Sequence, residues 1–390
     1  MRLSIRVALS GIVVLVLAWS YLALSSLGVE GRPLAFALLM GSAFGVVLQR
    51  SRLCFYCNLR DLIDRREPAG VLAILIALAI GAVGYTVIFG AWLPTPALER
   101  LPPTAHVGPV SVVLVAASFV FGVGMAVSGS CLSAHFYRLG EGSAIAPFAI
   151  VGAALGFGFG FLTWNPLFEL ITSGAVIVWF PHSLGYGGSL ALTLGALGAL
   201  SAIVLAVAGP AARPAQPPWS PAEVLGALFV RRWPPVVAGL LVGLIAIFYY
   251  FRVAPLGVTA ELGSLVRTAG ATYDLWPTTL HGLDTLRGCA TVIKSALLSN
   301  NGVFVLGLIA ASFASALLGN QFTPRLPGAR DVARGLGGGV LLGWGAITAL
   351  GCTIGVLLSG IHAGSLSGWV FLAFAGLGAG LGILAARRLT

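Results

Sequence analysis

Charge is what this sequence has least of: 9% of its 390 residues are Asp, Glu, Lys or Arg, and Lys294 is the single lysine. Soluble domains carry roughly 25% charged residues. With 58% hydrophobic residues and a mean hydropathy of +0.99, no water-soluble fold hides the remainder, so the bilayer is the solvent. Cysteine is also scarce. The five, Cys54, Cys57, Cys131, Cys289 and Cys352, are too few and too scattered for a disulfide scaffold. No histidine joins them at metal-ligand spacing, which argues against a zinc or iron–sulfur centre. A G-x-x-x-x-G-K-[ST] loop is missing as well, and with it any sign of ATP use; the sequence implies no cofactor.

What is present is apolar run after apolar run, with spans expected near 7–27, 34–49, 69–93, 109–128, 144–162, 186–209, 234–252, 302–319, 335–351 and 366–386. The fold class is therefore an all-α polytopic membrane protein. It has about nine to ten transmembrane helices, with short re-entrant helices at the cysteine motifs. The stretch from Val7 to Leu27 is long for a signal peptide and reads as a retained span. The spans 34–49 and 335–351 are short, and each stops before a cysteine motif, where transporters build sites.

The net charge of +10 sits as arginines in short loops, with no long basic run, so nucleic acid is not expected as a partner. Those arginines concentrate on one side if the N- and C-termini are cytoplasmic. Residues 210–233, rich in Pro, Ala and Arg, read as a cytoplasmic linker between two halves, 34–209 and 234–390, after an N-terminal span in 1–33. The stretch 223–231 is a candidate short interfacial helix.

The halves resemble each other. Gly122 to Ser143 matches Gly343 to Ser365: both pair G-x-G with a cysteine, Cys131 or Cys352, at the end of an apolar span. Glycines 156, 158 and 160 then match 378, 380 and 382 after one inserted residue. A weaker pairing joins Arg52-Leu53-Cys54 to Arg287-Gly288-Cys289. Because an odd number of spans separates the matched motifs, the repeat is pseudo-two-fold and inverted, with a site expected near the midplane.

A cysteine on a membrane helix is usually a small buried hydrophobe. Four at equivalent repeat positions argue for use, so Cys54, Cys131, Cys289 and Cys352 are the candidate substrate-binding residues. A thiol is a soft, weak hydrogen-bonding group, suited to a polarizable sulfur atom. Facing a dianion it should stay protonated, since a thiolate would repel the solute. Short helices starting after Cys131 and Cys352 would add N-terminal N–H groups; Gly129, Ser130 and Gly351 lie at those starts. Arg52, Arg60, Arg138, Arg287 and Lys294 could form anion-attracting vestibules, or could be topology signals and ion-pair partners for Asp61, Asp64, Glu141 and Asp284. His135, one turn past Cys131, is either a packed core residue or a hydrogen-bonding neighbour. His106, His182, His281 and His362 read as loop residues.

Leu48-Gln49-Arg50-Ser51-Arg52-Leu53-Cys54, Ser128-Gly129-Ser130-Cys131, Arg287-Gly288-Cys289 and Leu350-Gly351-Cys352-Thr353-Ile354-Gly355 together resemble the YeeE/YedE family of sulfur-transport membrane proteins. The resemblance runs from about residue 34 to the C-terminus. It implies an hourglass-shaped protein of a bacterial inner membrane that passes thiosulfate along thiols through S–H···S contacts. Cys131 and Cys352 would lie at the narrow point and Cys54 toward an exit, with a small cytoplasmic sulfur-carrier protein as a partner. Cys57 and Val356 depart from the family pattern. Cys54-Phe55-Tyr56-Cys57 also keeps a second class open, a membrane thiol–disulfide oxidoreductase.

Overall fold

The computed structural model describes residues 3–208, 226, 229–283, 291–296 and 298–389. Among them, ten segments are long and apolar enough to cross a bilayer, and the only sheet is a two-stranded one pairing Pro109–Val110 with Val176–Ile177. The protein is a multi-pass helical membrane protein.

The helices run α1 Leu3–Ser26, α2 Gly31–Ser51, α3 Phe55–Arg65, α4 Ala69–Trp92, α5 Val112–Ser128, α6 Leu132–Gly140 and α7 Ala146–Leu167. They continue with α8 Phe180–Ala208, α9 Pro235–Arg252, α10 Val258–Thr272, α11 Asn300–Leu318, α12 Ala329–Thr348, α13 Ser359–His362 and α14 Leu366–Leu389. A π-helical turn, Thr353–Leu358, leads into α13.

Two spans that look short in sequence are full length. The helix α2 has 21 residues and α12 has 20. Each gains a polar first turn, Arg32 in α2 and Arg330 and Asp331 in α12. Hydropathy trims such turns, but a helix end at the membrane surface tolerates them because its first backbone N–H groups need water or side chains anyway. The short elements are instead α3, α6, the π-helical turn and α13. The proposed interfacial helix at 223–231 falls mostly outside the described residues.

Helix packing is matched pair for pair. The helix α5 lies on α14 as α12 lies on α7, and α2 lies on α11 as α9 lies on α4. The match holds at single residues. Gly122 rests on the backbone of Ala375, and its sequence counterpart Gly343 rests on that of Ala153. Gly378 meets Phe119, and its counterpart Gly156 meets Val340. Gly41 and Gly45 approach Phe304 and Leu308, while Gly239 and Gly243 approach Ala73 and Ala77. These are G-x-x-x-G spacings, which remove side chains from one helical stripe so that two backbones can touch. The core lies where α2, α5, α7 and α12 meet. By contrast α1 and α8 are peripheral, with only 6% and 11% of their apolar stretches buried.

Candidate functional site

Three cysteines occupy the same kind of position, in extended backbone at the start of a short helix. Cys54 precedes α3, Cys131 precedes α6 and Cys352 precedes the π-helical turn. In each case the preceding long helix stops through left-handed backbone. Arg52 has φ 54° after α2, Gly129 φ 80° after α5, and Leu350 φ 63° with Gly351 φ 150° after α12. Glycine suits such a position because it has no Cβ to clash. A leucine there is strained, which is common beside functional sites.

These breaks bring the thiols together. The Cys54 Sγ lies 3.6 Å from the Cys131 Sγ and 3.4 Å from the Ser130 Oγ, and the Cys131 backbone N–H donates to it at 3.5 Å. Ser133, the second residue of α6, places its Oγ 3.9 Å from the Cys352 Sγ. The Cys352 Sγ also accepts the Ile354 N–H at 3.4 Å. All three cysteines and both serines are buried. A cavity of about 50 Å³ adjoins them, lined by Cys131, Ser133 and Thr353 among apolar side chains that include Phe44, Phe55 and Leu357. The Thr353 hydroxyl has no hydrogen-bond partner among the described residues. The series Cys54, Cys131, Ser133, Cys352 is therefore a buried chain of weak donors beside three helix starts, whose N–H dipoles favour negative charge. Among the described residues no cluster of three His, Cys, Asp or Glu side chains forms a metal site.

The other candidates separate. Cys57 sits beside the series, with the Arg138 Nη2 donating to its sulfur at 3.1 Å. His135 is fully buried, but neither ring nitrogen meets a partner among the described residues, so it does not reach Cys131 through its ring. Arg52 is exposed at the end of α2. Lys294 pairs with Glu261, which also accepts the Ser299 hydroxyl, so its charge is balanced within the protein rather than displayed to solvent. Arg60 pairs with Asp61 at 3.0 Å, and Arg387 with Asp64. Cys289 and Arg287 lie outside the described residues.

The sequence reading overlooked several buried polar groups. His106 lies in a loop as expected and His362 closes α13, and both are buried, at 1% and 2% exposed. His362 sits against α4 with its Nε2 3.2 Å from the Ala77 carbonyl. Burial pushes the His106 pKa down to about 4. Gln49 donates to Glu141 and Gln321 and accepts from Ser315, at 3.1, 2.7 and 2.7 Å, linking α2, α11 and the end of α6. Arg232 reaches the same carboxylate at 3.7 Å. Isolated polar residues on apolar helices give no sequence signal of such a network; only their convergence does.

Residues 50–381 match the family model described as sulphur transport, which spans every cysteine and both long helices that precede Cys131 and Cys352. The chain belongs to this sulphur transport family. It is similar to a thiosulfate transporter, TsuA, of Spirochaeta thermophila, with 31% identity over 352 residues covering 87% of this chain and 95% of that protein. The TsuA of Escherichia coli is 28% identical over 362 residues, covering 87% and 91% respectively. The probable transporter YedE of Escherichia coli is 27% identical over a shorter 164 residues. Family membership and the ten spans make this protein a membrane transporter of sulfur compounds, and the buried thiol series is its candidate path.

Proposed function

We propose that the protein takes up thiosulfate by passing it along protonated thiols in the order Cys352, Cys131, Cys54, with Ser133 bridging the first step. The observation that carries this reading is the contact between the Cys54 and Cys131 sulfurs at 3.6 Å, continued by Ser133 to Cys352 at 3.9 Å. Each thiol donates S–H to the terminal sulfur of the dianion, a soft acceptor for a soft donor. The helix-start N–H groups after each cysteine favour the oxyanion end. No bond forms or breaks, so the solute leaves one thiol as it meets the next.

The matched packing supports two halves related by an inverted two-fold. Exchanged helices are five spans apart, and an odd offset reverses direction. The packing of α1 on α11 and of α8 on α4 supports counting α1 and α8 as the peripheral member of each half. Both termini face the cytoplasm of the inner membrane, by the arginine distribution. A small cytoplasmic sulfur-carrier protein receives the solute near α3, where Cys54 and Cys57 begin and line the first turn. The oxidoreductase alternative loses ground because the similar proteins that cover most of the chain are named transporters.

Growth on thiosulfate as the sole sulfur source, in a bacterium lacking its own sulfate and thiosulfate importers, tests the reading. Wild type should support growth and well-expressed Cys131→Ala and Cys352→Ala should not. Growth in both variants would sink the thiol path.

A further inference from the structure

Outside the thiol path, a groove of about 770 Å³ runs between α1, α2 and α11. Its walls carry small residues on all three helices, including Ser10 and Ala18 of α1, Ser42 and Ala43 of α2, and Ala311 and Ala314 of α11. Small residues normally let membrane helices close on one another. Here α1 packs on α2 and α11, with the Ser10 hydroxyl donating to the Ala314 carbonyl at 3.1 Å, and a groove is left between the three helices.

Arg50 lines one end of this groove and is 1% exposed. Its Nη2 donates to the Arg231 carbonyl, while its Nε and Nη1 meet no acceptor among the described residues. The carboxylate nearest in the network, Glu141, is engaged by Gln49 and Arg232. A guanidinium this deeply placed calls for an anion. Arg231 is exposed at the same end, and Trp233 lines it, the residue type that sits at the membrane–water boundary.

We propose that the groove holds one acyl chain of an anionic phospholipid, with the headgroup phosphate at Arg50. Length and charge select this occupant. From Leu38 to Arg50 the groove follows twelve residue steps of α2, roughly 18 Å at 1.5 Å per residue. One leaflet of a ~30 Å hydrocarbon core is about 15 Å deep. A transmembrane helix from a partner would need the full thickness and would bring no anion to Arg50.

The test is native mass spectrometry and thermal unfolding of the purified full chain with dioleoylphosphatidylglycerol, dioleoylphosphatidylcholine or inorganic phosphate added. The expected result is one retained phosphatidylglycerol per chain and a larger rise in Tm than with phosphatidylcholine. Arg50→Gln should weaken phosphatidylglycerol binding about tenfold or more and erase that preference. Ala43→Trp, which fills the groove without touching the charge, should abolish retention of both lipids, and it decides the matter if Arg50→Gln does not fold. Equal responses to the two lipids, lipid retained by Ala43→Trp, or the same shift from phosphate alone would overturn the proposal. So would a dimer that Ala43→Trp converts to monomer, since a second copy would then fill the groove.

Discussion

The glycine crossings that hold α5 and α12 in place should be intolerant of a single methyl group, and equally so in the two halves. A Cβ at Gly343 would stand 2.0 Å from the Ala153 carbonyl oxygen, and one at Gly122 would stand 2.3 Å from that of Ala375. Both obstacles are backbone, which no rotamer change can clear. Restoring a normal separation of about 3.5 Å moves each helix pair apart by more than about 1 Å. Overpacking of this kind costs about 1–3 kcal/mol. Each glycine lies nine residues before its cysteine, Cys131 or Cys352, so the displacement also reaches the thiol series. Gly376→Ala and Gly380→Ala are the controls, because a Cβ at either has nothing within 4 Å. Thermal unfolding of the purified protein and radiolabelled thiosulfate uptake should show Gly122→Ala and Gly343→Ala lowering both readings. The controls should stay within about 0.5 kcal/mol of wild type. If Gly376→Ala destabilised as much as Gly343→Ala, or if Gly343→Ala were silent, close backbone crossing would not be what holds the site.

Other consequences are open to measurement. Ser133→Ala should cut thiosulfate uptake at least tenfold while Ser133→Cys restores most of it, since either a hydroxyl or a thiol can bridge Cys131 and Cys352; unchanged uptake in Ser133→Ala would remove the bridge. Mild oxidation should join Cys54 to Cys131, whose sulfurs need to close from 3.6 Å to the ~2.05 Å of a disulfide. Uptake should then fall and return with dithiothreitol, and Cys131→Ala protein should form no such bond by mass spectrometry of its peptides. His106 is kept neutral by burial, with a pKa of about 4 against 6.5 when exposed. Its unfolded form binds a proton first, so its contribution is intact above pH 6.5 and is lost progressively down to pH 4. The loss totals roughly 3 kcal/mol. Denaturation curves at pH 7 and pH 4.5 should therefore diverge less in His106→Gln than in wild type, and equal divergence would refute the assignment.

Much of this was legible before any coordinates. The span count followed from hydropathy, because a backbone in lipid must satisfy its own hydrogen bonds and so shows itself as long apolar helices. Cys54, Cys131 and Cys352 were legible because glycine and cysteine recur together at helix ends. Ser133 was not, since a serine two residues past Cys131 looks like many other serines in membrane helices. Lys294 stayed open between vestibule and ion pair for a related reason: its partner Glu261 is 33 residues away, and a sequence shows a charge but not the opposite charge that folds onto it. His362 reads as a loop residue but closes α13, and what the sequence hides for both it and the loop residue His106 is burial.

The amino-acid sequence alone determined the solvent, the number of crossings, the glycine stripes and the residue types available for chemistry, because each of these is a local property of composition and period. The tertiary structure alone decided which cysteines touch, which charges cancel and where α1, α2 and α11 leave a groove between them. Those depend on segments tens to hundreds of residues apart meeting in space, as Ser133 and Cys352 do across 219 positions. Close packing, not local preference, settles such meetings.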